Sequence, residues 1–187
     1  WSEREDAFLC SGRIVKAKQT HRIIQILKAV REKGFDVKLY ITGGGGGIYG
    51  SSYLKQVKKM ADQNNEWVHI YQDLAYSDYL QIIARCRYGI HYKQEPFGIS
   101  IAEMVKADMI PFVRSQGGQV EIVGTENPEL LFEDEAEAVE KISHVLNNLD
   151  LQQHLLQSMS RRKKLFSTEQ FKEDIRSTVR GYLEKIK

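Results

Sequence analysis

Short apolar runs rich in β-branched and aromatic residues alternate along the chain with stretches whose apolar positions recur every three or four residues. The runs Ala7–Ser11 (AFLCS), Val37–Thr42 (VKLYIT), Trp67–Tyr71 (WVHIY), Tyr88–Tyr92 (YGIHY), Met109–Val113 (MIPFV) and Glu129–Phe132 (ELLF) read as strands. Helical spacing predicts helices over 20–33, 52–64, 77–86 and 99–107, with a shorter one over 119–123. Strands of nearly continuous apolar character suit a sheet covered on both faces. Strand, helix, strand in repetition implies right-handed crossovers and parallel pairing. The pattern therefore predicts an α/β fold, a doubly wound, Rossmann-like parallel sheet of about six strands. From Glu135 onward only helical spacing remains, over 135–148, 151–164 and 168–186. A single domain over 1–187 is expected, with 135–187 its helical C-terminal part. Ligands of such a sheet sit beyond the carboxyl ends of its strands, where the strand order reverses, so the loops after strands are the places to look.

Composition narrows the classes of partner. The 187 residues carry 27 basic and 25 acidic side chains, a net charge of +2, which argues for no nucleic-acid partner. No aromatic and basic interleaving marks a nucleic-acid surface either. Cys10 and Cys86 lie far apart in apolar surroundings and read as reduced core thiols. No run reaches the roughly 18 apolar residues of a membrane helix, and the expectation is a cytoplasmic chain, at the membrane periphery in a full-length protein. The chain starts at Trp1 and reads as a piece of something longer. His21, His69, His91, His144 and His154 show no metal-ligand spacing and read as structural or surface residues. The basic run Arg161–Lys164 reads as a solvated helix end whose cations oppose the dipole.

Candidate chemistry collects after the strands. Residues 43–47 are five glycines between a strand and a helix, a setting in which backbone NH groups approach a phosphate. They lack the Lys-Ser or Lys-Thr of a P-loop and follow the second strand, whereas a dinucleotide fingerprint follows the first. A loop of low sequence demand and a loop lining a shared cleft both remain open. Residues 94–104, QEPFGISIAEM, place Glu95 and Glu103 on either side of Gly98, where a helix begins. That start offers free NH groups and a positive dipole end to a diphosphate. The carboxylates suit neutral hydroxyls flanking it, the chemistry sugars offer; a surface glutamate and a helix-start glutamate are the plainer alternative. After the first strand come Arg13 and, five residues on, Lys18, cations that in a doubly wound sheet open on the same edge.

SGRIVKAK, YITGGGG, WVHIYQDL, EPFGISIAE and IPFVRSQGGQVEIV occur in this order over most of residues 7–124. In this the chain resembles the C-terminal, donor-binding domain of retaining glycosyltransferases of the GT-B fold, family 4, also called glycosyltransferase group 1. The resemblance implies a donor nucleotide diphosphate sugar, UDP- or GDP-linked, and transfer of a hexose to an acceptor hydroxyl with retention. No cofactor is implied, since cations take the place of a metal. It assigns Arg13 and Lys18 to the departing diphosphate and Glu95 to the sugar hydroxyls. Gly12, Gly43 and Gly44 would line the cleft, and the backbone of Ile70, Gln72 and Asp73 the base. Phe97, Gly98, Ile99 and Ser100 would meet sugar and distal phosphate, and Glu103 the ribose. A glycan or lipid-linked acceptor would be held mostly by an N-terminal domain absent from this chain, which is expected to be inactive alone, its last helix returning toward that domain. The chain departs from the family at Asp108 and Gln19, where glycine is usual, and in the length of its glycine run. The rival expectations are a degenerate binding or scaffold module and an unrelated nucleotide-binding domain.

Overall fold

The computed structural model describes residues 1–44 and 51–185. They form strands β1 (Glu5–Ser11), β2 (Lys38–Thr42), β3 (Val68–Tyr71), β4 (Cys86–His91), β5 (Ile110–Arg114) and β6 (Leu131–Phe132). The helices are α1 (Thr20–Glu32), α2 (Ser51–Asp62), α3 (Tyr76–Arg85), α4 (Ile99–Lys106), α5 (Gln119–Val123), α6 (Glu135–Leu146), α7 (Leu149–Leu165) and α8 (Thr168–Lys185). All strand pairs are parallel, in the order β3-β2-β1-β4-β5-β6. This is the doubly wound sheet that the apolar runs predict.

The two faces follow from the period of two along each strand. Phe8 and Cys10 of β1, with Leu39 and Ile41 of β2, enter one core beside Ile23 and Leu27 of α1, Val57 of α2 and Ile142 of α6. Ala7 and Leu9 of β1 and Tyr40 of β2 face the other way, against Ile82 and Ile83 of α3 and Met104 of α4. Both cysteines are buried and unpaired, and burial pushes the Cys10 thiol up to about 12.

The elements depart from the periodic reading at their ends. Glu129 and Leu130, expected in a strand, form a 3-10 turn with Pro128, whose ring fixes the backbone there and shortens β6 to two residues. Helix α7 starts at Leu149, ahead of the expected 151, because Asn148 caps it: its side chain accepts from the Leu151 amide at 3.0 Å. Within the basic run Arg161 and Lys164 are exposed, as a solvated helix end requires, but Arg162 and Lys163 are pinned. The Arg162 guanidinium donates to the carbonyls of Glu121 and Ile122, and Lys163 pairs with Asp108 at 3.0 Å, tying α7 to α5 and to the turn before β5. Asp108 itself has φ 58, the left-handed backbone expected where the family has glycine.

At the amino end of the sheet, Glu5 accepts from Tyr40 at 2.6 Å, Lys38 at 3.0 Å and Arg85 at 2.6 Å. Burial alone would raise this carboxyl, but the three donors outweigh it and hold it at about 2. A carboxylate held below its unfolded value contributes stability that is present above about pH 4.5 and is lost as pH falls toward 2. Thermal melts between pH 6 and 3 should therefore fall more steeply for the native chain than for Glu5→Gln; superimposable slopes would show that the network carries no such linkage.

Candidate functional site

Because the strand order reverses between β1 and β4, the loops leaving these neighbouring strands diverge and open a crevice at the carboxyl edge. Its floor is stitched from backbone. Gly12 N donates to Thr42 O at 2.9 Å, Ile14 N to Gly44 O at 3.0 Å and Gly43 N to Tyr71 O at 3.1 Å, so the loops after β1, β2 and β3 act as one surface. Lys18 closes a 3-10 turn, Lys16–Lys18, and Gln19 then takes φ 54 and starts α1. Gln19 thus keeps the left-handed conformation for which the family uses glycine.

The opposite wall is the segment between β4 and α4. Gly98, with φ 105, caps α4 without a side chain, and its carbonyl accepts from Ile101 and Ala102 at 3.0 Å. The amides of Ile99 and Ser100 open the helix and have no partner one turn back. Gly12, Arg13, Lys18, Glu95, Phe97, Gly98, Ile99, Ser100 and Glu103, all expected site residues, line one cleft of about 480 Å³. Gly43, Gly44 and Asp73 line an adjoining recess of about 370 Å³ that shares Ser11, Gly12 and Arg13 with it. Ile70 and Gln72 are not brought together with these. They line a separate groove beside Lys58 and Asp62, along the outer edge of β3. Residues 45–47 of the glycine run lie outside the described residues.

Within the cleft Lys18, Glu95 and Glu103 are engaged with neighbouring side chains. The Lys18 ammonium donates to Glu95 Oε1, with both side chains largely buried. The same oxygen accepts from His91 Nε2 at 3.1 Å, and Lys93 Nζ lies 3.6 Å from Oε2. Burial, helped by the Lys18 charge, pushes His91 below the usual imidazole value, so a neutral ring faces an acceptor-only carboxylate and must donate from Nε2. Burial would raise the Glu95 carboxyl, but Lys18 and His91 together bring it below the usual range. Glu103 Oε2 accepts from the Tyr79 hydroxyl at 3.0 Å, which in turn lies 3.0 Å from Ser11 Oγ. Burial and the Glu103 charge push the phenol up to about 12.

Four residues at the cleft and its recess are not marked by the sequence pattern: His91, Tyr79, Gln119 and Thr42. His91 reads as a structural histidine, and the available signal is its position four residues before Glu95 at a strand end. Tyr79 sits in an amphipathic helix and looks like any half-buried aromatic. Gln119 is fully buried, its Oε1 accepting from Glu95 N at 2.7 Å and its Nε2 donating to the carbonyls of Lys93 and Arg114 at 3.2 Å. A glutamine at the head of an apolar helix was the clue there. Thr42 is buried at the recess, and among the described residues its hydroxyl has no partner.

A crevice with cations on one wall, a helix N-terminus on the other and a carboxylate to either side suits a diphosphate flanked by two polyols. Among the described residues no three His, Cys, Asp or Glu side chains converge as metal ligands would. None of the described helices is long and apolar enough to cross a membrane.

The fold is that of an α/β domain whose cleft lies at the topological switch point. The family described as Glycosyl transferases group 1 matches residues 1–162, and the chain belongs to that family. Among solved structures, HepE of Anabaena in complex with UDP and glucose superposes with a TM-score of 0.78 at 18% identity, over 95% of this chain and 49% of that one. Sucrose-phosphate synthase from Thermosynechococcus elongatus gives 0.75 at 17% identity, over 99% and 47%. The pneumococcal O-GlcNAc transferase GtfA in complex with UDP and GlcNAc gives 0.70 at 16%, over 97% and 37%. At these identities the likeness is one of fold, and the chain spans half or less of each of the three. No match is found among curated protein sequences.

Proposed function

We propose that the chain is the donor-binding domain of a retaining, family 4 hexosyltransferase that takes a nucleotide diphosphate sugar and needs no resident metal. The observation that carries this reading is the opposition of Arg13 and Lys18 to the N-terminus of α4 across the β1/β4 crevice. Charge accumulating on the departing diphosphate meets cations on one side and unpaired amides on the other. Glu95 reads the sugar hydroxyls and Glu103, oriented by Tyr79, accepts from the ribose. The recess beside Asp73 takes the nucleobase. UDP complexes of the similarly folded HepE and GtfA support a nucleoside diphosphate as the ligand. The acceptor, a glycan or lipid-linked hydroxyl, belongs to a second domain of a longer cytoplasmic polypeptide, consistent with neighbours about twice this length. Helix α8 suits contact with that domain: Phe171, Ile175, Val179 and Tyr182 recur along one stripe, each at least half exposed.

Thermal shift with UDP, GDP, ADP and NAD tests the reading. At a hundredfold excess over Kd, one nucleoside diphosphate should stabilise the chain by about 2.7 kcal/mol, and Glu103→Ala should abolish the shift. No response to any of the four would favour a non-catalytic module, and a response confined to NAD would overturn the assignment. The purified 187-residue chain should transfer no sugar to an added acceptor; measurable transfer would place the acceptor site within it.

A further inference from the structure

The cation assigned to the diphosphate and the carboxylate assigned to the sugar are bound to each other in the structure described here. Lys18 Nζ lies on Glu95 Oε1, both side chains largely withdrawn from solvent. From this contact, and resting on the donor-binding reading above, we infer that Glu95 is an internal competitor of the diphosphate for Lys18, and that the donor's sugar compensates for its displacement. The site thereby prefers the complete donor to the nucleoside diphosphate released after transfer.

The geometry supplies each part. Lys18 ends a short 3-10 turn on the β1 side, and Glu95 stands on the β4 side, so a ligand entering the crevice passes between them. A diphosphate that takes Lys18 removes the strongest donor from Glu95 Oε1. The carboxylate is not left loose. His91 Nε2 stays on the same oxygen at 3.1 Å, and Gln119 Oε1 holds the Glu95 amide at 2.7 Å. What Glu95 then lacks is one charge-assisted hydrogen bond, which a sugar hydroxyl supplies and a bare diphosphate does not. Both ligands break the ion pair; only the complete donor replaces what is broken. His91 is accordingly a positioning residue, the fixed post that keeps the carboxylate aimed at the sugar once Lys18 has moved.

Calorimetric titration of the 187-residue chain with UDP against UDP-glucose, and with GDP against GDP-mannose, tests this. In Glu95→Gln the nucleoside diphosphate should bind roughly three- to tenfold more tightly than to the native chain, about 0.7–1.4 kcal/mol. The preference for the complete donor over the diphosphate should meanwhile fall roughly tenfold. Removing a nearby negative charge would also favour a diphosphate through space. Glu95→Asp keeps the charge, draws the carboxylate back by one methylene and should strengthen diphosphate binding in the same direction if contact is what matters. His91→Leu should weaken the complete donor more than the bare diphosphate, with His91→Gln, which restores a donor near Nε2, recovering the difference. Diphosphate affinity that falls or stays constant in Glu95→Gln, or that stays native in Glu95→Asp, would overturn the inference. Failure of every nucleotide to bind the native chain would instead overturn the donor-binding reading on which it rests.

Discussion

Gly118→Ala is expected to abolish most donor binding while leaving the sheet folded. The loop after β5 passes so close to the segment between β4 and α4 that a Cβ on Gly118 would lie 2.1 Å from Pro96 O and 2.9 Å from Phe97 Cα. Both are backbone atoms, so no side-chain rotation relieves the clash and one loop must move. The same approach is held by two hydrogen bonds, Gly118 N to Glu95 O at 2.8 Å and Glu95 N to Gln119 Oε1 at 2.7 Å. Displacing Glu95–Gly98 shifts the Glu95 carboxylate and the cap of α4 together. The overpacking should cost roughly 2–3 kcal/mol of stability, within the range measured for inserted methylenes. For a domain of this size that lowers Tm by about 4–12 °C. Affinity for nucleoside diphosphate should drop by more than the roughly tenfold expected of losing one good contact, because several contacts depend on one loop. Gly181→Ala is the comparison: nothing lies within 4 Å of a Cβ there, in exposed α8, and the change should stabilise slightly without altering affinity. Native affinity in a folded Gly118→Ala chain would show that the loop after β5 does not hold the site.

The fold was legible because both faces of the sheet are covered. That demand forces nearly unbroken apolar runs on all the central strands, and the runs at Ala7, Leu39, Tyr88 and Ile110 could not be mistaken for exposed surface. Element ends were less legible where a single residue decides them, as Asn148 does for α7 and Pro128 for β6. The cleft was legible to the extent that each of its walls is a contiguous segment: Ser11–Lys18 and Glu95–Glu103 need only a parallel topology to face one another. What stayed hidden is whatever depends on contact between segments. His91 looks structural until Glu95 is seen to share its carboxylate with both it and Lys18, 77 residues away. Gln119 looks like a stray polar residue until its side chain is seen replacing three backbone partners. No periodicity records such pairings, since each residue satisfies its own element first.

Lys18→Ala should depress transfer through kcat far more than through KM, in a longer polypeptide that joins this chain to an acceptor domain. In the ground state the gain from placing Lys18 on a diphosphate is offset by the ion pair with Glu95 that must be broken, so the net contribution to binding is modest. In the transition state of the proposed transfer the bond to the sugar is breaking and the diphosphate acquires further negative charge. The loss of Glu95 has already been incurred, so the added attraction appears almost entirely in the barrier. Removing one preorganised donor to a developing oxyanion typically costs about 10²–10³ in kcat, and that is the range expected, with KM changing by less than roughly fivefold. Arg13→Ala provides the contrast. Arg13 lies exposed at the rim, so its loss should divide between KM and kcat. The Lys18 variant should also alter pH dependence. Burial, aided by the Lys18 charge, lowers the His91 value, and without that charge it should rise, bringing imidazole protonation to a higher pH. Below that point the charged ring replaces part of the lost cation beside Glu95, so the variant's deficit should narrow as pH falls. Unchanged kcat with a KM raised tenfold or more would mean that Lys18 serves only to hold the donor. The Glu95 ion pair would then have no part in the balance between donor and product.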